Sequence, residues 1–119
     1  IKYFNDLFED LGTNADKSVD YPDYANLLIE EMNKIQKSKG ILIWGSGAGM
    51  TITANRNSNI RAGLAFNSKI AKLIRQHNDA NILVLPGRFI DIQEAIKCVD
   101  NFLNTEFEGG RHKKRIDKI

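Results

Sequence analysis

The sequence is poor in cysteine and has no long hydrophobic run. Its single cysteine, Cys98, excludes an internal disulfide and cannot supply a cage of thiolates for zinc. No apolar run approaches the roughly 20 residues that a membrane-spanning helix needs. Residues 1–10 lack the basic and apolar regions of a signal peptide. We therefore expect a cytoplasmic protein in a reducing compartment, with no membrane partner.

The chain also lacks a strong excess of either charge. Seventeen Lys and Arg residues stand against fifteen Asp and Glu residues, which leaves a net charge of +2. A charge this small does not by itself predict a nucleic-acid or membrane surface. The 119 residues, 42% of them hydrophobic, suffice for one compact domain, which we assign to residues 1–119. Because the chain starts at Ile1 rather than at a methionine, we expect further sequence before it.

Apolar runs alternate with helical patterns along the chain, which is typical of βα units around a parallel sheet. Short apolar runs predict strands at 7–11, 41–44, 60–66 and 82–85. Helical patterns predict helices that begin at 20–22, 50, 67–68, 91 and 111. We therefore expect an α/β fold. The continuous apolar run at 41–44 is expected to be a central strand, buried on both faces.

Hydrophobic spacing predicts which helical side chains are buried. In the first helix the expected buried stripe consists of Leu27, Leu28, Met32 and Ile35. Gly40 is expected to end that segment. In the fourth helix Cys98 falls on the apolar stripe between Ala95 and Phe102, so we expect its thiol to pack in the core.

A glycine-rich loop, Gly45-Ser46-Gly47-Ala48-Gly49, follows the strand at 41–44 and precedes a helix. Backbone N–H groups and the positive end of the helix dipole make such a turn an anion site. Met50 occupies the place of the third glycine of the dinucleotide fingerprint, and no Lys-Ser/Thr pair completes a Walker loop. Nucleotide binding is therefore disfavoured. The alternative is a tight turn in which glycines only allow close packing.

His77 and Asn78 lie at a helix end, just before the strand at 82–85. From there they would project towards the carboxyl edge of the sheet or towards a partner. An imidazole in this place could exchange a proton near neutral pH. The alternative is that His77 only complements the helix dipole.

Arg111 and Arg115 are four residues apart, so one helix face would present two guanidinium groups to a phosphate. Arg88, just after the last strand, is a third candidate. The alternatives are a solvated basic tail and a nucleic-acid patch, and the second is disfavoured because no aromatic residue is interleaved with these charges. Near the first helix start, Tyr21 could stack on a ligand or hydrogen-bond to it.

Several ordered motifs together resemble the ribose-5-phosphate isomerase B family, from about Gly12 to Ile119. They are Asp20-Tyr21-Pro22-Asp23-Tyr24-Ala25, Gly45-Ser46-Gly47-Ala48-Gly49-Met50, Ala54-Asn55, Ile60-Arg61-Ala62, His77-Asn78-Asp79-Ala80-Asn81 and Thr105-Glu106-Phe107-Glu108-Gly109-Gly110-Arg111-His112. The resemblance implies a small Rossmann-like, three-layer αβα enzyme with a mainly parallel sheet. It also implies aldose–ketose isomerisation of ribose 5-phosphate in the pentose phosphate pathway. No metal or cofactor is implied, and the expected assembly is a homodimer with shared active sites, or a tetramer.

The resemblance further implies a role for each candidate residue. Gly45, Gly47, Gly49 and Ser46 would hold the carbonyl end of the sugar and stabilise an enediolate. His77 would assist ring opening, and Asn78 and Tyr21 would contact the sugar. Arg88, Arg111 and Arg115 would take the phosphate.

The chain departs from the family pattern at the proton-abstracting base. One branch of the family has a cysteine where this chain has Trp44, and another has a glutamate where it has Met50. Family members also begin with a strand that ends in an Asp-His pair, and this chain starts after that strand. The alternatives are therefore a sugar-phosphate-binding protein with weak or lost turnover, and an isomerase of a 6-phospho-hexose.

Overall fold

The computed structural model describes residues 8–12 and 19–119. This part of the chain folds into a three-stranded sheet with five helices. In chain order the elements are α1 (Tyr21–Asn33), β1 (Gly40–Ile43), α2 (Ala48–Asn55), β2 (Ala62–Leu64), α3 (Ser68–Asn78), β3 (Ile82–Leu85), α4 (Ile92–Asn104) and α5 (Arg111–Ile116). All strands are parallel, in the order β1-β3-β2, and Ile82 pairs with both Gly40 and Ala62. None of the described helices is long and apolar enough to cross a membrane.

The sheet lies between two helical layers. Ile82 and Val84 of β3 pack with α1 and α2, whereas Leu83 and Leu85 pack with α3 and α4 on the other face. All four side chains of β3 are fully buried, because successive residues of a strand point to opposite faces and both faces are covered. The expected three-layer αβα sandwich is therefore present.

Two strand predictions need correction. The run at 41–44 is not central: β1 pairs only with β3 among the described residues, and Ile43 is 56% exposed. Edge strands and central strands can both carry a continuous apolar run, so this pattern does not distinguish them. The central strand of the described sheet is β3. The predicted strand at 7–11 is also wrong where it can be checked, since residues 8–11 form no regular element and residue 7 lies outside the described residues.

The first helix starts as predicted but buries a different stripe. Pro22 stands in its first turn, where a missing N–H costs no hydrogen bond. The buried residues are Ala25, Ile29 and Met32, while Leu28 is half-buried and Leu27 is exposed. Helix α1 ends at Asn33, before Ile35, which is 59% exposed. The prediction favoured the larger side chains over Ala25, although the small residue faces the core.

Gly40 begins β1 instead of ending the helical segment. Its Cα lies against α1, and an added Cβ would come within 2.7 Å of Leu28 Cδ2 and 2.8 Å of Met32 Sδ. Close packing of strand on helix therefore explains this glycine.

Helices α3 and α4 start at side-chain caps, as the sequence predicts. The Asn67 side chain accepts a hydrogen bond from the Ile70 N–H, and the Asp91 side chain accepts one from the Glu94 N–H, both at 2.9 Å. Glu94 Oε1 in turn accepts from the Ser68 N–H at 2.7 Å, which joins the two helix starts. Cys98 of α4 is buried in the core, and burial raises the pKa of its thiol to about 11.

Candidate functional site

The carboxyl ends of the three parallel strands meet at one edge of the sheet, where a cavity of about 340 Å³ opens. Its lining residues come from the start of α1, the loop after β1, the start of α2 and the loop after β3. They are Tyr21, Trp44, Gly45, Ser46, Gly47, Gly49, Met50 and Arg88. The structure therefore places six of the predicted site residues around one space.

The glycines of the loop are present for different reasons. Gly47 precedes α2 with φ +79°, and an added Cβ would come within 2.6 Å of Leu64 Cδ1. Backbone conformation and packing both require glycine there. At Gly45, by contrast, an added Cβ would meet nothing within 4 Å. Packing therefore does not explain Gly45, and the space beside it is open to a ligand.

Ser46 and Arg88 bring polar groups to this cavity. The exposed Ser46 hydroxyl accepts a 3.3 Å hydrogen bond from the Ala48 N–H at the start of α2. The Arg88 N–H donates to the Gly45 carbonyl at 3.0 Å, which fixes the loop after β3 against the glycine loop. The Arg88 side chain is exposed. A cation and a helix N-terminus therefore border the same space, which suits an anion.

The Tyr21 ring lies against the start of α2. A Cβ added at Gly49 would overlap the Cζ, Cε1 and Oη atoms of Tyr21. The glycine thus allows the ring to lie on the loop, and the phenol is 37% exposed. Tyr21 can therefore offer a hydroxyl to a molecule in the cavity.

Trp44 and Met50 supply apolar walls instead of a base. The half-buried Trp44 indole stacks on Tyr24 with ring centroids 6.1 Å apart and 23° between the planes. Met50 is 2% exposed and belongs to the core. Among the described lining residues, the polar side chains are those of Tyr21, Ser46 and Arg88, with no carboxylate, imidazole or thiol.

The remaining predicted residues lie at the opposite, amino edge of the sheet. Helix α3 starts after the carboxyl end of β2 and returns to the amino end of β3, so His77 and Asn78 reach that far edge. Projection of these two residues towards the carboxyl edge is therefore wrong. Eleven residues of α3 span about 16 Å. One small ligand cannot contact His77 and the glycine loop of the same chain.

His77 takes part in a compact group with two residues from the C-terminal segment. Its ring stacks on the His112 ring, with centroids 4.3 Å apart and 14° between the planes. Its Nε2 lies 3.5 Å from Glu108 Oε1. No role was predicted for Glu108 or His112; the glycine pair between them marks a turn, but not its contact with His77.

Ligand type alone would allow a metal ion at His77, Glu108 and His112, since their ligand atoms lie within 4.8 Å of one another. The ring geometry does not suit one. A metal lies close to the plane of each imidazole that binds it, and two nearly parallel planes about 4 Å apart share no such point. Burial lowers the pKa of His112, the charges of His77 and Arg111 lower it further, and Glu108 opposes them.

Helix α5 packs on α3 and carries the two C-terminal arginines. Arg111 and Arg115 are exposed, and neither has a carboxylate partner among the described residues. Asn78 is exposed beside them. In one chain these groups are separated from Arg88, so the three arginines do not converge within a single copy.

Asp79 and Asn81, from the same motif as His77, are structural. Asp79 adopts φ +47° at the end of α3, and its carboxylate pairs with Arg61 at 3.1 Å and Arg75 at 2.9 Å. Asn81 Oδ1 accepts from the Arg61 N–H at 2.8 Å. Arg75, 6% exposed, also donates to the Ala80 carbonyl at 2.7 Å and the Thr105 carbonyl at 3.1 Å. No structural role was predicted for this arginine from the sequence.

A sequence profile of the Ribose/Galactose Isomerase family matches residues 2–119. The chain belongs to this family. A relative from Mycoplasma pneumoniae, named probable ribose-5-phosphate isomerase B, is 52% identical over 111 residues, which cover 92% of this chain and 73% of the relative. The resemblance inferred from the motifs is thereby confirmed.

Solved structures of the same family share the fold. The ribose 5-phosphate isomerase of Thermotoga maritima matches with a TM-score of 0.93 and 48% identity, over 98% of this chain and 83% of that one. Ribose-5-phosphate isomerase B of Mycoplasma genitalium, solved with bound ribulose-5-phosphate, matches with a TM-score of 0.90 and 44% identity, over 98% and 80%. The Rossmann-like α/β prediction is confirmed.

Proposed function

We propose that this protein is an aldose–ketose isomerase that interconverts ribose 5-phosphate and ribulose 5-phosphate. The observation that carries the proposal is the cavity at the carboxyl edge, where loop amides, a helix start and Arg88 favour an anion. Its family supports the substrate, since one relative of the same fold was solved with ribulose-5-phosphate. We also propose that it works in the cytoplasm as one domain, without metal or cofactor.

The proposed chemistry moves one proton between neighbouring carbons. A base removes the C2 proton of the open aldehyde, and the C1 oxygen takes the negative charge of an enediolate. Return of a proton to C1, with transfer of the C2 hydroxyl proton, gives the ketose. The amides of Gly45, Gly47 and Gly49 and the Ser46 hydroxyl stabilise the developing charge. Tyr21 contacts the sugar from the other side of the cavity.

A complete site needs two copies of the chain in this proposal. The cavity supplies Ser46, Tyr21 and Arg88, and the second copy brings His77 and Asn78 for the sugar with Arg111 and Arg115 for the phosphate. The 16 Å length of α3 supports this arrangement, because one copy alone cannot unite the two edges. Exposed apolar side chains suited to a dimer contact include Phe66, Phe89 and Ile92, which are 53%, 67% and 70% exposed.

A second candidate function is sugar-phosphate binding with weak turnover. The observation that favours it is the lining of the cavity by Trp44 and Met50, where the resemblance to the family implies a cysteine in one branch and a glutamate in another. A positioned general base contributes about 10²–10⁴-fold. The apolar pair thus allows binding while it slows proton transfer.

The deciding experiment is NMR of ribose 5-phosphate in D2O with the parent protein and with Trp44→Cys. Conversion to ribulose 5-phosphate with deuterium at C1 supports the isomerase. If the parent is slow and the folded variant is at least about 10-fold faster, a missing base limits the rate. Binding of ribose 5-phosphate without exchange in either protein would establish the second candidate. A parent that neither binds nor exchanges would overturn both. Thermal unfolding checks that the variant folds.

A further inference from the structure

The connection between α4 and α5 folds back over the end of α3. The Glu108 N–H donates to the Gln76 carbonyl at 3.0 Å, which fixes the connection one residue before His77. Gly109 and Gly110 follow with φ +70° and +54°, and a Cβ added at either would meet nothing within 4 Å. The backbone turn, not packing, therefore requires this glycine pair. The turn brings Glu108 and His112 to the same imidazole.

The two residues contact that imidazole in different ways. Glu108 Oε1 faces the ring edge, 3.5 Å from His77 Nε2. His112 covers a ring face in a nearly parallel stack. His112 is 9% exposed and its pKa is lowered by burial, so at neutral pH it offers an uncharged surface. His77 is thus contacted at one edge and on one face, while its side chain stays 39% exposed.

We propose that Glu108 is a positioning residue for His77, which it orients through Nε2 against the His112 ring. The inference rests on the proposed function, in which His77 assists ring opening. A carboxylate beside one imidazole nitrogen favours the tautomer that carries the proton on that nitrogen. In this arrangement the proton on Nε2 faces Glu108 Oε1, 3.5 Å away, and Nδ1 is left to exchange a proton with the sugar.

Ring opening by this unit adds one proton at the ring oxygen and removes one from the C1 hydroxyl. The C1–O4 bond of the furanose breaks, its electron pair goes to O4, and O4 takes a proton from protonated His77. The C1 hydroxyl loses its proton to water as C1 becomes the aldehyde, and water returns a proton to the imidazole. Glu108 stays ionised throughout and touches no reacting atom.

The test separates ring opening from proton transfer between carbons. Ribulose 5-phosphate is acyclic, because its C5 oxygen carries the phosphate, so loss of its C1 proton in D2O needs no ring opening. Glu108→Gln should lower kcat/KM for ribose 5-phosphate by about 10-fold or more, a part of what an acid catalyst supplies. C1 exchange in ribulose 5-phosphate should remain within about twofold. Glu106→Gln is the matched control, since it removes the same charge from the same connection and should change neither rate.

A second measurement reads the ring directly. The chain has two histidines, so imidazole NMR of the parent and of His112→Phe assigns both rings. Nitrogen-15 shifts should show protonated Nε2 on His77 in the parent and a mixture of tautomers in Glu108→Gln.

The outcomes are distinguishable. Equal loss of both rates in Glu108→Gln, or no loss of either, with the parent tautomer unchanged, overturns the positioning role while the proposed function stands. A parent that exchanges no C1 proton overturns the proposed function, and the inference with it.

Discussion

The two edges of the sheet hold their functional groups in different ways. At the carboxyl edge the glycine loop is shaped by its backbone. Gly47 is in a left-handed conformation, and the Gly45 carbonyl accepts a hydrogen bond from the Arg88 N–H. At the amino edge His77 is held by the side chains of Glu108 and His112. In the proposed function the first edge stabilises the enediolate, and the second supplies His77 for ring opening and two arginines for the phosphate. Neither edge of one chain holds all of the proposed groups, so the proposed enzyme would divide its site between two copies.

The largest change in activity is expected when two inactive variants are mixed. Arg88→Glu removes the arginine of the carboxyl edge, and Arg111→Ala with Arg115→Ala removes both arginines of the amino edge. Each lost charge-assisted hydrogen bond costs about 1.5–3 kcal/mol, so each variant should lose about 10²-fold or more in kcat/KM. Unfolded together and refolded, the two should regain about a quarter of parent activity, because half of the dimers are mixed and each has one intact site.

The control for that experiment combines two variants of the same edge. His77→Gln mixed with the arginine double variant should regain no activity, since every site then lacks an amino-edge group. Lys114→Ala with Lys118→Ala removes the same charge from the same segment and should stay close to the parent. Activity of a monomer at micromolar concentration in light scattering would contradict the division between copies.

Substitutions in the glycine loop should change stability and substrate binding by smaller amounts. Gly47→Ala forces a side chain into a left-handed conformation and against Leu64, so it should destabilise the protein by about 1–3 kcal/mol. Gly45→Ala has free space and should leave the unfolding free energy unchanged while it weakens substrate binding. Urea unfolding and substrate titration of both variants separate stability from binding. Equal destabilisation by the two would show that both glycines only serve packing.

As the pH falls, the amino edge should lose its contribution to folding stability before the carboxyl edge does. The pKa of His112 is lowered in the fold, whereas the unfolded chain has an ordinary value of about 6.5. Below that pH the unfolded chain binds a proton that the folded protein takes up less readily, so Tm should fall as pH decreases. His112→Phe keeps a flat ring and should flatten this dependence below about pH 6.5. Glu94 has a lowered pKa, so its contribution is lost only below about pH 4.5.

Local spacing predicts the features that neighbouring residues determine. The caps at Asn67 and Asp91, the buried strand β3 and the glycine loop were found this way, because each depends on a few adjacent residues. The central position of β3 could not be found, since strand order depends on pairing across the whole sheet. The stripe of α1 was misjudged because side-chain size does not show which face lies against β1.

The contacts within the candidate site that join distant residues could not be predicted from the sequence either. Family motifs pointed to His77 and the arginines, and the structure divides these from the cavity residues without testing their roles. The contact of Glu108 with His77 joins residues far apart in the chain, so no local pattern contains it. Arg75 resembles any surface arginine in the sequence, although it is buried between three segments.

Arg75 makes the amino edge open as one unit. Its guanidinium holds the end of α3 through Asp79, the start of β3 through Ala80 and the α4–α5 connection through Thr105. If any one of these segments detached, a buried cation would lose a partner, and the remaining contacts would weaken with it. Amide hydrogens of Ala80 and Glu108 should therefore exchange with solvent in the same cooperative event. The backbone that carries His77 should then open only together with the start of β3 and the α4–α5 connection.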